Sequence, residues 1–132
     1  MSAAKIQHLE GNERQKSRAY SPAVITEGGR IVWLAGQTTT TDLEGEDISG
    51  RFDEQARTVF ALMNRTLERA GASLANLATM TVFVNDARHG DRFVEIRREF
   101  FPDGRYPCSA LLTISGFARA GILIEIQGVA VV

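Results

Sequence analysis

The chain has 132 residues, 44% of them hydrophobic and 23% charged, with a formal net charge of −1. That length suits one domain, residues 1–132, with a core of its own, while the even charge balance excludes the clustered cations that nucleic acid or an anionic membrane would require. No apolar run approaches membrane-spanning length, the single Cys108 has no disulfide partner within the chain, and the first residues lack the apolar centre of a secretory signal, so a cytoplasmic protein is expected.

In chain order, residues 5–9 predict a short strand, 11–16 a polar loop, and Tyr20 to Val24 an extended segment. Glu27-Gly28-Gly29-Arg30 carries hairpin chemistry, because glycine accepts positive φ at little cost. Ile31 to Ala35 reads as a buried strand ending at Gly36-Gln37, followed by a polar loop over residues 38–48. Phe52, Ala56, Val59, Phe60, Met63, Leu67 and Ala70 recur every three or four residues, the apolar stripe of a long helix with Asp47 or Ser49 as its cap and Gly71 just past its end. Thr79 to Val84 predicts a strand. A shorter helix runs from about Gly90 to Phe101 with Phe93, Ile96 and Phe100 inward, and Pro102 stops it. Ala110 to Ser115 and Ile122 to Val132 predict the last two strands, joined by a turn at Gly116 to Gly121.

This order describes an α+β domain in which two helices cover one face of a mixed sheet. The strands carry enough Ile, Val and Leu to leave apolar surface on the other face, which is the mark of a subunit interface, so oligomerisation is expected. No P-loop or GxGxxG occurs, one Cys and two His do not make a zinc site, and only Lys5 and Lys16 could form a Schiff base. No metal and no cofactor is expected. Within Ile122 to Val132 one residue stands out: Glu125 is a carboxylate in an otherwise apolar strand. It either faces water on an edge strand or has a partner or a task.

Several segments resemble the Rid (YjgF) family, the reactive-intermediate deaminases also known as endoribonuclease L-PSP. They are Tyr20-Ser21-Pro22-Ala23-Val24, Ala35-Gly36-Gln37, Gln55, Ala70-Gly71, Thr81-Val82-Phe83-Val84, Pro107 and Ile124 to Ala130, in the family's order from about residue 18 onward. The resemblance implies a chorismate-mutase-like fold, a homotrimer, and clefts between subunits that bind a small-molecule substrate. It implies hydrolysis of reactive imines or enamines to 2-oxo acids and ammonia, with Glu125 as the catalytic carboxylate and Tyr20, Gly36 and Gln37 lining the cleft.

The chain departs from the family at one point. The deaminase members carry an arginine two residues after the proline, and here Tyr106-Pro107-Cys108-Ser109-Ala110 puts Ser109 there, or Cys108 in an alternative register. A hydroxyl in place of a bidentate cation forfeits roughly 1.5–3 kcal/mol of carboxylate binding. The expected substrate is therefore an imine, enamine or related carbonyl compound other than the standard 2-imino acids, with Ser109 as a substrate contact. The alternative is a trimer that only binds a metabolite or a protein partner. A third reading, ranked last, has Arg105 or Arg97 replace the missing cation, since Arg97 and Arg98 fall on the outward side of a helix whose inward residues are Phe93, Ile96 and Phe100. Cys108 reads as a small packed cysteine, His8 and His89 as surface residues, and Trp33 as core or interface. Thr38 to Thr41 divide evenly between a pocket mouth and a plain polar loop.

Overall fold

Strand residues alternate sides at every step and helix residues return to one side every three or four, and these two periods place the core. The computed structural model describes residues 3–132; Met1 and Ser2, where the expected domain begins, lie outside the described residues. The elements are β1 (Lys5–His8), α1 (Glu13–Ser17), β2 (Val24–Glu27), β3 (Ile31–Gln37), α2 (Phe52–Arg69), β4 (Leu77–Val84), α3 (Gly90–Phe100), β5 (Cys108–Thr113) and β6 (Ile124–Val131). Four strands form one sheet in the order β3-β6-β4-β5, with β6 antiparallel to both neighbours and β4 parallel to β5. β1 and β2 pair antiparallel as a separate ribbon.

One face of the sheet carries the core. Phe52, Ala56, Val59, Phe60, Met63 and Leu67 of α2 and Phe93 and Ile96 of α3 are buried with Leu34, Met80, Val82, Val84, Ile124, Ile126 and Ala130 of the sheet. Each large apolar side chain removed from water there contributes about 1.5–3 kcal/mol. The result is the expected α+β arrangement, a mixed sheet with two main helices. On the other face Trp33 is 75% exposed, Ile31 57% and Leu112 44%.

The departures from expectation have local causes. Residues 11–16, loop-like by composition, contain most of α1: Gln15 N–H donates to Asn12 Oδ1 at 2.9 Å and Asn12 N–H to Gln15 Oε1 at 2.8 Å, a capping box that starts the helix. Gly28 and Gly29 do take positive φ, 68° and 75°. The strands around them do not pair with each other, because β2 pairs with β1 and β3 with β6. β3 is not buried throughout; it alternates, with Leu34 inward and Ile31 and Trp33 outward, so Trp33 is not core. Neither Asp47 nor Ser49 caps α2, whose N-cap is Arg51 without a side-chain bond. Asp47 Oδ1 accepts from Ser49 N–H within the preceding loop instead. β6 starts at Ile124 rather than Ile122, since Leu123 N–H is taken by Gln55 Oε1 at 2.9 Å. β5 starts at Cys108, opposite Thr79. Gly71 follows α2 with φ 78°, as a C′ glycine should.

Candidate functional site

Strand parity separates the residues that the sequence brings forward. Glu125 lies opposite Phe83 of β4, and Ser109 lies opposite Met80. Met80 and Phe83 are three positions apart on one strand and so point to opposite faces. Met80 is buried in the core, and Phe83 is on the bare face. Glu125 therefore stands on the bare face and Ser109 on the helix side, at the sheet edge. The residues of β5 that share the face of Glu125 are Cys108, Ala110 and Leu112, none of them a cation.

Glu125 is half-buried beside the end of β3. The β3–β6 register shifts between Leu34 and Gln37, a bulge that turns the backbone of Gly36 toward the carboxylate. The approach is close enough that a Cβ built on Gly36 would sit 2.5 Å from Glu125 Oε2 and 2.9 Å from its Cδ. Glycine is required here by proximity and not by φ. Among the described residues no donor or cation engages the Glu125 carboxylate. Gln37 lies next to this pair in sequence, with its Nε2 donating to Thr38 O at 3.0 Å. Glu125, Gly36 and Gln37 thus form one group. Thr39 spends its hydroxyl inside the following loop, donating to Thr41 O at 2.6 Å, which favours the plain-loop reading of Thr38 to Thr41.

A second group lies at the other edge of the sheet, under α3. Arg97 is only 2% exposed, so its expected outward placement is corrected. It follows Phe93 by four residues, one helical turn, and falls on the same inward stripe. Its Nη1 donates to Ser109 Oγ at 2.8 Å and contacts Met80 Sδ at 3.7 Å, its Nη2 donates to Arg18 O at 2.8 Å, and its Cζ lies 5.0 Å from the Phe93 ring centre. Burial, and then the neighbouring Arg18, push its pKa down to about 10. Arg14, Arg18, Tyr20, Val94, Arg97, Ser109 and Leu111 line a cleft of about 290 Å³. Ala19, fully buried, holds φ 58° between Arg18 and Tyr20. That left-handed residue turns the chain so that the Arg18 carbonyl meets Arg97 while Tyr20 lines the cleft.

Arg105 does not reach Ser109. It is exposed, pairs with Asp103 at 3.2 Å and lies with His8 beside a different cavity. Arg98 faces outward, donating to Lys16 and Ser17 carbonyls. Cys108 is half-buried, with Sγ donating to Ala78 O at 3.2 Å. Neither histidine is fully on the surface: His8 is half-buried, and His89 stacks on Phe52 at 4.2 Å. No group of three or more His, Cys, Asp or Glu converges among the described residues. No helix in the structure is long and apolar enough to cross a membrane.

Comparison with known proteins gives a consistent result. A family model described as Endoribonuclease L-PSP matches residues 11–132. A RutC family protein of Pyrococcus abyssi is 29% identical over 111 residues, covering 84% of each chain. A human 2-iminobutanoate/2-iminopropanoate deaminase is 28% identical over 112 residues, 85% of this chain and 79% of that protein. Among solved structures, the Rid-family protein YyfB of Yersinia pestis superposes with a TM-score of 0.83 over 99% of this chain and 100% of that one, at 20% identity. RidA of an Antarctic Psychrobacter superposes with a TM-score of 0.63 at 26% identity, over 86% and 88% of the two chains.

Proposed function

The chain belongs to the Endoribonuclease L-PSP family, also called Rid or YjgF, and from that premise we propose that it hydrolyses a small reactive imine or enamine in clefts between the subunits of a homotrimer. The observation that carries this reading is Glu125, a half-buried carboxylate without a partner among the described residues, set against the bare backbone of Gly36. A carboxylate so placed can take a proton from water as the water oxygen bonds to the imine carbon. Starting from the protonated imine, the C=N electron pair moves to nitrogen and gives a neutral carbinolamine. Glu125 then returns its proton to that nitrogen, the C–N bond breaks with its electron pair leaving on ammonia, and the hydroxyl oxygen becomes the carbonyl as its proton passes through Glu125 to the ammonia.

Within one chain Tyr20 and Ser109 lie on the other side of the sheet from Glu125. The homotrimer gives a way to join them, with a second copy supplying one group against the other. The exposed Ile31, Trp33 and Leu112 support such packing, since a monomer would leave them in water. Trp33→Glu should abolish assembly, and light scattering should then report the 14.5 kDa monomer. An unchanged mass would remove that face from the interface.

Position 109 itself carries no cation, but Arg97 Nη1 donates to Ser109 Oγ at 2.8 Å, which supports keeping 2-imino acids among the candidate substrates. An assay with imines generated in situ by amino-acid oxidases should show accelerated ammonia release. Binding without acceleration would instead support the non-catalytic trimer. Gly36→Ala tests the site without unfolding it: alanine suits the backbone there, and the atoms it meets, Oε2, Cδ and Cγ, all belong to the Glu125 side chain, which can turn aside. Turnover should fall at least tenfold while Tm holds within a few degrees.

A further inference from the structure

We propose that the cleft under α3 binds a small oxyanion, with the Arg97 guanidinium at its base and Arg18, Arg14, Tyr20 and Ser109 around it. The starting observation is a buried cation without a counter-ion. Arg97 is 2% exposed, and among the described residues no carboxylate pairs with it. Asp91, which meets the cleft through Arg18, is spent on that arginine at 2.7 Å. Interiors hold a charge in this way only where something repays the loss of hydration.

The donors are also under-used. A guanidinium offers five N–H groups. Arg97 makes two bonds to oxygen and one to a thioether sulfur, a weak acceptor, and its Nε has no partner. Ser109 Oγ accepts from Arg97, and its own proton reaches only Ala110 O at 3.5 Å, so it is free to turn to a ligand. The lining contains three arginines, a phenol and a serine, and no acidic residue. With Arg18 offset by Asp91, positive charge remains in excess, which favours a dianion over a monoanion. About 290 Å³ accommodates a phosphate group or a short acid. An anion there would also relieve the repulsion between Arg18 and Arg97.

This inference stands on the cleft alone and does not rest on the imine reading. If both hold, the cleft is the acid-binding end of the site, and the substrate is an anion. The test uses the intact protein at constant ionic strength, with inorganic phosphate, malonate and acetate titrated against chloride by calorimetry and by thermal unfolding. Saturable binding of phosphate or malonate is expected, at least tenfold tighter than acetate. Preference for phosphate points to phosphate esters, and preference for malonate to carboxylic acids. Arg14→Ala and Arg18→Ala, both on the rim, should each weaken binding about tenfold, and Arg97→Lys should do the same by losing the planar fork. If Arg97→Lys does not fold, the rim variants decide. Glu125→Gln, on the opposite face, should bind as the unaltered protein does while losing turnover, which separates this inference from the catalytic one. Absence of saturable binding in the millimolar range, or binding unchanged in the Arg14→Ala/Arg18→Ala double variant, overturns it. A purely structural Arg97 would show the latter pattern, with lower Tm on its replacement and no change in anion dependence at the rim.

Discussion

Glu125→Gln is expected to lower kcat/KM for imine hydrolysis by about 100- to 10,000-fold, the range that a positioned general base supplies. Glutamine keeps the shape of the side chain beside Gly36 and removes only the capacity to accept a proton from water. The same substitution should leave Tm nearly unchanged, because among the described residues nothing donates to the Glu125 carboxylate, so no fold-stabilising bond is lost. Activity and stability are thereby uncoupled at this position. Ammonia release measured against oxidase-generated imines, alongside calorimetric unfolding, reads both. A rate within threefold of the unaltered protein would remove Glu125 from the chemistry.

Gln55→Ala should have the reverse signature, with a large loss of stability. Gln55 is fully buried on α2. Its Nε2 donates to Ile48 O at 2.9 Å and to Gly121 O at 2.7 Å, and its Oε1 accepts from Leu123 N–H at 2.9 Å. One side chain therefore ties the loop before α2 and the turn before β6 to the helix. Truncation removes three hydrogen bonds at about 0.5–1.5 kcal/mol each and orphans the Leu123 N–H at about 1–3 kcal/mol more, while Ile48 O still accepts from Arg51 N–H and Gly121 O from Gly50 N–H. A net loss of about 3–5 kcal/mol is expected, or a fall in Tm of about 10–20 °C for a domain of this size. Circular dichroism melting checks it, and a shift of a degree or two would show that these bonds contribute little.

The fold was legible where periodicity was long and unbroken. The stripe from Phe52 to Leu67 and the β-branched run at Thr79 to Val84 needed no context, since burial follows directly from spacing. Element order and the bare sheet face followed from the same patterns. What strand pairs with what was not legible: Gly28-Gly29 has the chemistry of a hairpin turn, and only the partners available in space, β1 and β6, decide otherwise. The capping box at Asn12 and Gln15 was present in the sequence, but masked by a segment too short and polar to show a stripe.

The candidate site divides in the same way. Glu125 is conspicuous because a charge in an apolar strand breaks a pattern. Arg97 is hidden because an arginine on a helix is ordinarily solvent-facing, and long side chains are assigned outward by type. Its spacing from Phe93 was the available signal. That Ser109 and Glu125 face opposite ways depends on the pairing of both strands with β4, which no single strand's sequence contains.

Ala19 has a further consequence. An alanine at φ 58° costs about 1 kcal/mol relative to the right-handed region. Glycine would relieve that, but would add a similar amount of freedom to the unfolded chain. Stability is thus nearly indifferent to the choice, whereas rigidity is not: the segment from Arg18 to Tyr20 is fixed before any ligand arrives. The entropy of ordering it is settled during folding and is not charged again to each encounter.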